Sequence, residues 1–183
     1  QGVEGLGFTF FGGSLDKAKG VWRSLRAGSV HARHALRPDQ PAGILFTSGT
    51  EGAPKGVELT NANLVSNARQ IWQHAAGMLS PVDVALNPLP MFHMSSIMPL
   101  LATLWAGGVF ITDTHFDAEA AWRMLDAERP TIWFTAFPAV MSALVNHPGF
   151  TADRVPWVRL IINVAPPEQL RRNMRTIPHA VHI

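Results

Sequence analysis

The sequence predicts an α/β fold, with a layered and largely parallel sheet and flanking helices. From Gly43 onward, short β-rich runs alternate with amphipathic helical segments. Most of the β-rich runs are largely apolar, as in parallel strands that are covered on both faces. Apolar residues make up 47% of the 183 residues, enough for a packed core. One segment is an exception, because "ILFTSGTEGAPKGVELT" joins two strands by a short glycine-containing loop and predicts a hairpin.

Each element follows from its local pattern. The predicted strands are Ile44–Thr47, Val57–Leu59, Val84–Asn87, Val109–Thr112, Thr131–Thr135, Leu160–Asn163 and Ala180–Ile183. The predicted helices are Ala62–Ala76, Ile97–Trp105, Asp117–Glu128, Ala139–Asn146 and Glu168–Thr176. Thr60 or Asn61 is placed to cap the first of these helices, Gly77 to end it, and Asp117 to cap the third. Residues 1–42 predict an irregular lead-in with a helix after Ser14, followed by a proline-containing linker.

Composition argues against several classes of protein. The net charge of +2 is too small for a nucleic-acid-binding surface, and Arg171, Arg172 and Arg175 have the helical spacing of a solvated face. Cysteine is absent, which excludes disulfides and thiolate metal sites and is compatible with a cytoplasmic location. The longest apolar stretch, Ile97–Ile111, is short and contains Pro99, so it predicts no membrane span. The N-terminus shows no leader pattern.

The segment Thr47–Gly56, "TSGTEGAPKG", combines hydroxyls, glycines and one lysine. Glycines allow backbone N–H groups to approach a ligand, and hydroxyls with Lys55 would complete a polyphosphate site. An ordinary glycine-rich hairpin is the alternative, and glycines and hydroxyls alone favour it. Pro54 precedes the lysine and Gly56 follows it, so the segment is not a Walker A loop.

The full string "TSGTEGAPKGVELTNANL" closely resembles the phosphate-binding signature of the adenylate-forming superfamily, and it is most like that of the acyl-CoA synthetases. "NPLPMFHMSSI" is similar to the next signature of that family, a Pro-x-Phe-His turn leading into a helix. The resemblance covers about Gly43 to Ile183. It implies that residues 43–183 are part of the large N-terminal AMP-binding domain, and that they stop before the family's Tyr-Gly-x-Thr-Glu segment and C-terminal domain.

That resemblance implies an acid–thiol ligase, which uses ATP to convert a carboxylic acid, by expectation a fatty acid, into an acyl-adenylate and then transfers the acyl group to coenzyme A. We expect a fragment of this kind to be inactive alone, with Mg²⁺ held by residues outside it. The resemblance places the β- and γ-phosphates on Thr47, Ser48, Gly49, Thr50, Glu51, Gly52 and Lys55. Glu51 departs from the commonest family pattern, and a carboxylate beside a triphosphate is unfavourable without a cation between them.

His93 is the second candidate residue. Taken alone, a histidine in an apolar run is more often a hydrogen-bonded core residue. The resemblance instead implies that His93 lines the acyl pocket and helps to position the carboxylate or the thiol. Met94, Phe134 and Phe137 are candidate acyl-pocket residues, with plain core packing as the alternative.

The resemblance also implies that Val164, Ala165 and Pro166 form the turn beside the adenine ring. Asn163 and Val164 stand where the family has glycines, and their side chains are expected to crowd that ring. A degenerate relative that only binds or interacts is therefore the alternative function. The spacing of the pairs His31/His34 and His179/His182 predicts no metal site. An isolated fragment would expose the edges of its sheet, which predicts self-association.

Overall fold

The computed structural model describes residues 36–47, 53–74, 78–113 and 115–183. The chain groups into two units, Gln1–Arg37 and Pro38–Ile183, and every element below belongs to the second. The helix predicted after Ser14 and the helix end predicted at Gly77 lie outside the described residues.

The elements follow the order that the sequence predicts, with ends shifted by a few residues. The strands are β1 (Pro41–Thr47), β2 (Lys55–Thr60), β3 (Val84–Leu86), β4 (Val109–Ile111), β5 (Ile132–Ala136), β6 (Leu160–Asn163) and β7 (Val181–His182). The helices are α1 (Asn61–His74), α2 (Met94–Trp105), α3 (Ala118–Glu128), α4 (Pro138–Val145) and α5 (Pro167–Thr176), with a 3₁₀ turn at Ala152–Arg154.

Five of these strands form a sheet in the order β4-β3-β5-β6-β7, and every pair in it is parallel. The predicted layered α/β fold is confirmed. Alternate residues of the strands point to opposite faces. Trp133 packs with residues of α3 and α4 and with Ile177, which directly follows α5, on one face, while Phe134 packs with Ala102 of α2 on the other. Helices therefore cover both faces of the sheet, which explains why its strands are mostly apolar.

Strands β1 and β2 form the predicted hairpin. They pair antiparallel, with Leu45 opposite Val57 and Thr47 opposite Lys55. Most of the hairpin is exposed to solvent.

The helix caps agree with the sequence where the structure describes them. Thr60 Oγ1 accepts the N–H of Asn63 at 3.2 Å, and Asn63 Oδ1 accepts the N–H of Thr60 at 2.9 Å. Asp117 Oδ1 accepts the N–H of Ala120 at 2.7 Å. These contacts satisfy N–H groups that have no partner within α1 and α3.

Helix α2 begins at Met94, earlier than the predicted Ile97, because His93 provides a cap that the periodicity of apolar residues does not reveal. No helix among the described residues is long and apolar enough to cross a membrane.

An ion pair between the half-exposed Arg159 and the buried Asp83 fixes the amino end of the sheet. The carboxylate of Asp83 is 2% exposed and accepts hydrogen bonds from Arg159 Nε at 2.8 Å and from the Thr131 hydroxyl at 2.7 Å. Ser80 donates its N–H to the same carboxylate at 2.8 Å. Burial alone would raise the pKa of Asp83, but the hydrogen bonds from Arg159, Ser80 and Thr131 outweigh it and hold the pKa at about 2. These contacts connect β3 with β5 and β6 before the strands enter the core.

Candidate functional site

The parallel sheet has a topological switch point between β3 and β5. From β3 the chain crosses through α2 to β4 on one side, whereas from β5 it crosses through α4 to β6 on the other side. The loops that follow β3 and β5 therefore diverge and leave a crevice at the carboxyl edge of the sheet. Ligands of open α/β sheets bind in a crevice of this kind.

His93 lies in the loop after β3, on one side of the crevice. Its N–H donates to the carbonyl of Pro90 at 3.1 Å, which closes the predicted Pro-x-Phe-His turn. The imidazole caps α2, since Nδ1 accepts the N–H of Ser95 at 3.1 Å and lies 2.8 Å from Ser95 Oγ. The side chain is nonetheless exposed, so it is a surface cap and not a packed core residue.

Phe137 lies in the loop after β5, on the other side of the crevice. Ala136 before it has a φ of +32°, a left-handed backbone conformation that residues other than glycine rarely adopt. The N–H of Phe137 donates to the carbonyl of Thr135, which closes a tight turn at the end of the strand. The ring is 43% exposed and meets the ring of His93 edge-on, with 6.0 Å between centroids and 61° between planes. The structure thus brings two of the sequence-predicted residues together.

The other two candidate acyl-pocket residues have different surroundings. Met94 is the first residue of α2 and is half-buried beside His93 in the chain. Phe134 is 5% exposed and packs in the core with Ile132 and Leu160. It is not brought to His93, and its position is the core alternative that the sequence left open. An acyl-pocket role remains a prediction for Met94, Phe134 and Phe137.

Asn87 is a site residue that the sequence reasoning missed. It directly follows β3 and is fully buried. Its Nδ2 donates to the carbonyl of Ser95 at 2.9 Å, and its Oδ1 accepts the N–H of Leu89 at 2.9 Å and the hydroxyl of Ser96 at 3.2 Å. The amide thereby joins the end of β3 to the first turn of α2, where His93 is the cap.

Pro99 explains why the carbonyl of Ser95 needs a hydrogen-bond donor from outside the helix. In an α-helix the carbonyl of Ser95 would accept the N–H of the residue four positions later, and that residue is Pro99, which has no N–H. Asn87 supplies the missing donor. A proline four residues after Ser95, in the first turns of the helix, was therefore the sequence signal that could have pointed to an external donor.

The turn Val164–Pro166 lies at the same edge of the sheet. The N–H of Val164 donates to the carbonyl of Ala136 at 3.0 Å, which links this turn to the loop that carries Phe137. Asn163 does not project from the turn, because its side chain is buried and its Oδ1 accepts from Asn173 Nδ2 at 3.0 Å. The expectation that Asn163 crowds an adenine ring is therefore wrong.

The three residues of the turn itself are exposed to different extents. Val164 is 72% exposed, Ala165 is half-buried and Pro166 is exposed. Only the crowding expected from Val164 remains, and an adenine-side role for Val164, Ala165 and Pro166 stays a prediction.

The phosphate-loop residues are described only at the mouth of the hairpin. Thr47 and Lys55 are register partners, both exposed, and Thr47 Oγ1 lies 3.5 Å from the carbonyl of Lys55. A hydroxyl and a cation thus stand at the two ends of the loop that joins β1 to β2. The remaining predicted phosphate-binding residues, Ser48, Gly49, Thr50, Glu51 and Gly52, lie outside the described residues.

Metal ligands are not assembled in the part of the chain that the structure describes. Within residues 36–47, 53–74, 78–113 and 115–183, no group of three or more His, Cys, Asp or Glu side chains could hold a metal ion. His179 Nε2 lies 3.0 Å from the carbonyl of Val155, and His182 Nε2 lies 3.1 Å from that of Ile177. The pair His31/His34 lies outside the described residues.

The parallel sheet with its switch point places the chain in the class of open α/β domains, whose ligands as a rule bind at the carboxyl edge of the sheet. The chain belongs to the AMP-binding enzyme family, whose sequence pattern matches residues 11–182. The resemblance to the adenylate-forming superfamily is thereby confirmed.

Curated relatives of the chain are acid–thiol ligases by name. It is 34% identical to the sulfoacetate–CoA ligase of Cupriavidus necator, over 74% of this chain and 26% of the relative. It is 33% identical to the long-chain-fatty-acid–CoA ligase FadD13 of Mycobacterium tuberculosis, over 68% of this chain and 24% of the relative. The chain therefore spans about a quarter of the length of these relatives.

Among solved structures, the chain is similar to ATP-bound MatB from Rhodopseudomonas palustris. The TM-score is 0.67 at 29% identity, and the match covers 79% of this chain and 29% of that structure.

Proposed function

We propose that this chain serves the ATP-dependent activation of a carboxylic acid to an acyl-adenylate, with coenzyme A as the thiol that then accepts the acyl group. The observation that carries the proposal is the register of the hairpin, in which Thr47 pairs with Lys55 at the two ends of the loop that the resemblance assigns to the phosphates. The ATP-bound state of the MatB structure supports ATP as the co-substrate.

The chemistry requires the groups that this hairpin contains. A carboxylate oxygen forms a bond to the α-phosphorus of ATP, and the bond from that phosphorus to the bridging oxygen breaks, so that pyrophosphate leaves. Negative charge builds up on the departing phosphates. Fixed N–H donors, the hydroxyl of Thr47 and the ammonium of Lys55 would stabilise that charge where it develops.

Mg²⁺ is a further expectation for this reaction. Among the described residues, no three or more His, Cys, Asp or Glu side chains are grouped so as to hold a metal ion, and no step is assigned to the metal. A magnesium ligand in the family's Tyr-Gly-x-Thr-Glu segment remains a prediction.

The surroundings of His93 favour an acid with an apolar chain. Met91, Phe92 and Phe137 are large apolar side chains exposed around the crevice, at 40%, 80% and 43%. Apolar walls with a few polar groups are typical of small-molecule sites. A fatty acid is the acid we propose, although the names of the relatives include sulfoacetate as well as long-chain fatty acids.

Carboxylate-dependent exchange of labelled pyrophosphate into ATP tests this function. The assay would compare acetate, fatty acids of increasing length and sulfoacetate, with the 183-residue chain and with a longer product of the same reading frame if one exists. We expect the exchange to depend on a fatty acid. If the fragment is inactive alone, only the longer product should catalyse the exchange. Exchange from neither polypeptide would favour the degenerate relative.

We also propose the domain division at residues 42 and 43, a cytoplasmic location, and self-association of the isolated chain. Self-association is supported by Ile44 and Phe46, which are 60% and 73% exposed on the hairpin, and by the edge strands β4 and β7. Light scattering over a range of concentrations tests it, and a monodisperse monomer at high concentration would count against it.

A further inference from the structure

We propose that Ser95 and Asn87 are positioning residues that hold His93 in one neutral tautomer, so that it offers a hydrogen-bond donor and not a base to the ligand of the crevice. This inference rests on the proposed function for the identity of the ligand, an oxygen of the carboxylate or of the acyl phosphate. The tautomer itself follows from contacts within the chain.

The backbone N–H of Ser95 decides where the proton of His93 lies. A backbone N–H can only donate, and it points at Nδ1 over 3.1 Å, so Nδ1 must carry its lone pair. Ser95 Oγ, 2.8 Å from the same nitrogen, then completes the contact by donating its hydroxyl proton. In the neutral imidazole the one ring proton therefore lies on Nε2.

Asn87 fixes the backbone that makes this contact. Its Nδ2 holds the carbonyl of Ser95, and its Oδ1 holds the hydroxyl of Ser96. Ser95 follows His93 by two positions, so an anchor on its peptide group restricts both the N–H and the hydroxyl that bind Nδ1. The anchor is itself rigid, because Asn87 is fully buried between β3 and α2.

The consequence concerns what His93 can do. Among the described residues, no protein group hydrogen-bonds Nε2, and the side chain is exposed. Nε2–H can therefore donate to an oxygen that carries developing negative charge. Nδ1 is occupied by Ser95, so the neutral ring has no free lone pair with which to deprotonate a thiol. Of the two roles that the resemblance allows, the structure favours contact with the carboxylate or acyl phosphate.

Nitrogen-15 NMR of the histidine rings tests the tautomer in the ligand-free chain. Spectra would be recorded at about pH 9, above the ordinary histidine pKa of roughly 6.5, and His93→Gln would assign the ring. We expect a proton on Nε2 and a through-hydrogen-bond coupling between the Ser95 amide nitrogen and Nδ1. A ring proton on Nδ1, or no such coupling, would overturn the proposal.

Three substitutions separate the contribution of Ser95 to the position of His93 from that of Asn87. Ser95→Ala keeps the amide and loses the hydroxyl, so the coupling should persist while the Nδ1 resonance moves towards that of a free acceptor. Ser95→Thr keeps a hydroxyl and should return the Nδ1 resonance to its position in the parent chain. Asn87→Asp keeps the shape but loses the Nδ2 donor, and the coupling should weaken. Unchanged ring spectra in both Ser95→Ala and a folded Asn87→Asp would contradict the positioning roles.

The same NMR spectra, recorded with hexanoate and AMP as the probe, test the contact of His93 with a ligand. On saturation we expect the Nε2–H signal to shift while its proton stays on Nε2. Movement of the proton to Nδ1 would show that Nε2 accepts, and would overturn the donor role. Failure of the probe to bind would count against the proposed function, and the ligand-free spectra would still decide the tautomer.

Discussion

The candidate site has two parts, Thr47 and Lys55 on the hairpin and the loops at the carboxyl edge of the parallel sheet, and these two parts are stabilised differently. Strands β5 and β6 are buried on both faces under helices, so the loops that follow them are held by packing. The hairpin β1–β2 is held mainly by its own backbone pairing and exposes most of its side chains. The sheet therefore fixes the positions of the site residues on its loops, whereas the hairpin contributes to the site through the chemical type of its exposed residues. Substitutions should affect stability in the first region and ligand binding in the second.

The largest expected contrast is between two isoleucines. Ile161→Ala in β6 removes a side chain that is fully buried, and we expect a loss of about 2–5 kcal/mol in the free energy of unfolding. Ile44→Ala in β1 removes one that is 60% exposed and should change it by roughly 0.5 kcal/mol or less. Urea denaturation of both variants measures the difference. Equal losses would show that the hairpin is packed as tightly as the sheet.

The ion pair at the amino end of the sheet predicts a dependence on acid. The folded-state pKa of Asp83 is about 2, below the ordinary aspartate value of 3.8, so its stabilisation is complete above about pH 4 and is lost as the pH falls towards 2. The shift corresponds to about 2 kcal/mol. Asp83→Asn should lower stability by that order at neutral pH and flatten the acid limb of the stability curve.

Asp126→Asn is the matched control for this prediction. Asp126 pairs with Arg154 on the surface, with about half of its side chain exposed. Its substitution should change stability by at most about 1 kcal/mol. Thermal unfolding between about pH 2 and pH 7 would compare both variants with the parent chain. An unchanged acid limb in Asp83→Asn would contradict the assignment of the shift to this pair.

A smaller effect tests the carboxyl edge of the sheet. Asn87→Ala leaves the carbonyl of Ser95 without a donor, but in a Pro99→Ala background the N–H of residue 99 can replace it. We therefore expect the loss from Asn87→Ala to be about 1 kcal/mol smaller in the presence of Pro99→Ala. A double-mutant cycle by urea denaturation measures this coupling, and strict additivity would show that Pro99 and Asn87 act separately.

Prediction from sequence succeeded where a feature depends on neighbours in the chain. Periodicity located the strands of the sheet, and the glycine-containing string located the hairpin. It failed where side-chain direction depends on distant partners. Asn163 was expected to project into the adenine space, but its amide turns inward to Asn173 on α5.

Phe134 in β5 and Phe137 in the loop after it show the same limit. Strand alternation places Phe134 in the core, whereas the positive φ of Ala136 breaks the alternation and brings Phe137 to His93. Asn87 was missed because its contact with Ser95 depends on the turn at Pro90. None of these directions is determined by local residue types.

The most direct test of the account is calorimetric binding of ATP and of AMP to the chain with Lys55→Gln. Arg123→Gln is the control, because it removes one exposed positive charge from α3. If the hairpin holds the tail of ATP, Lys55→Gln should weaken ATP binding by about 1.5–3 kcal/mol, roughly tenfold or more, and leave AMP binding and stability unchanged. Equal losses for both nucleotides, an equal effect of Arg123→Gln, or no binding of ATP by the parent chain would contradict it.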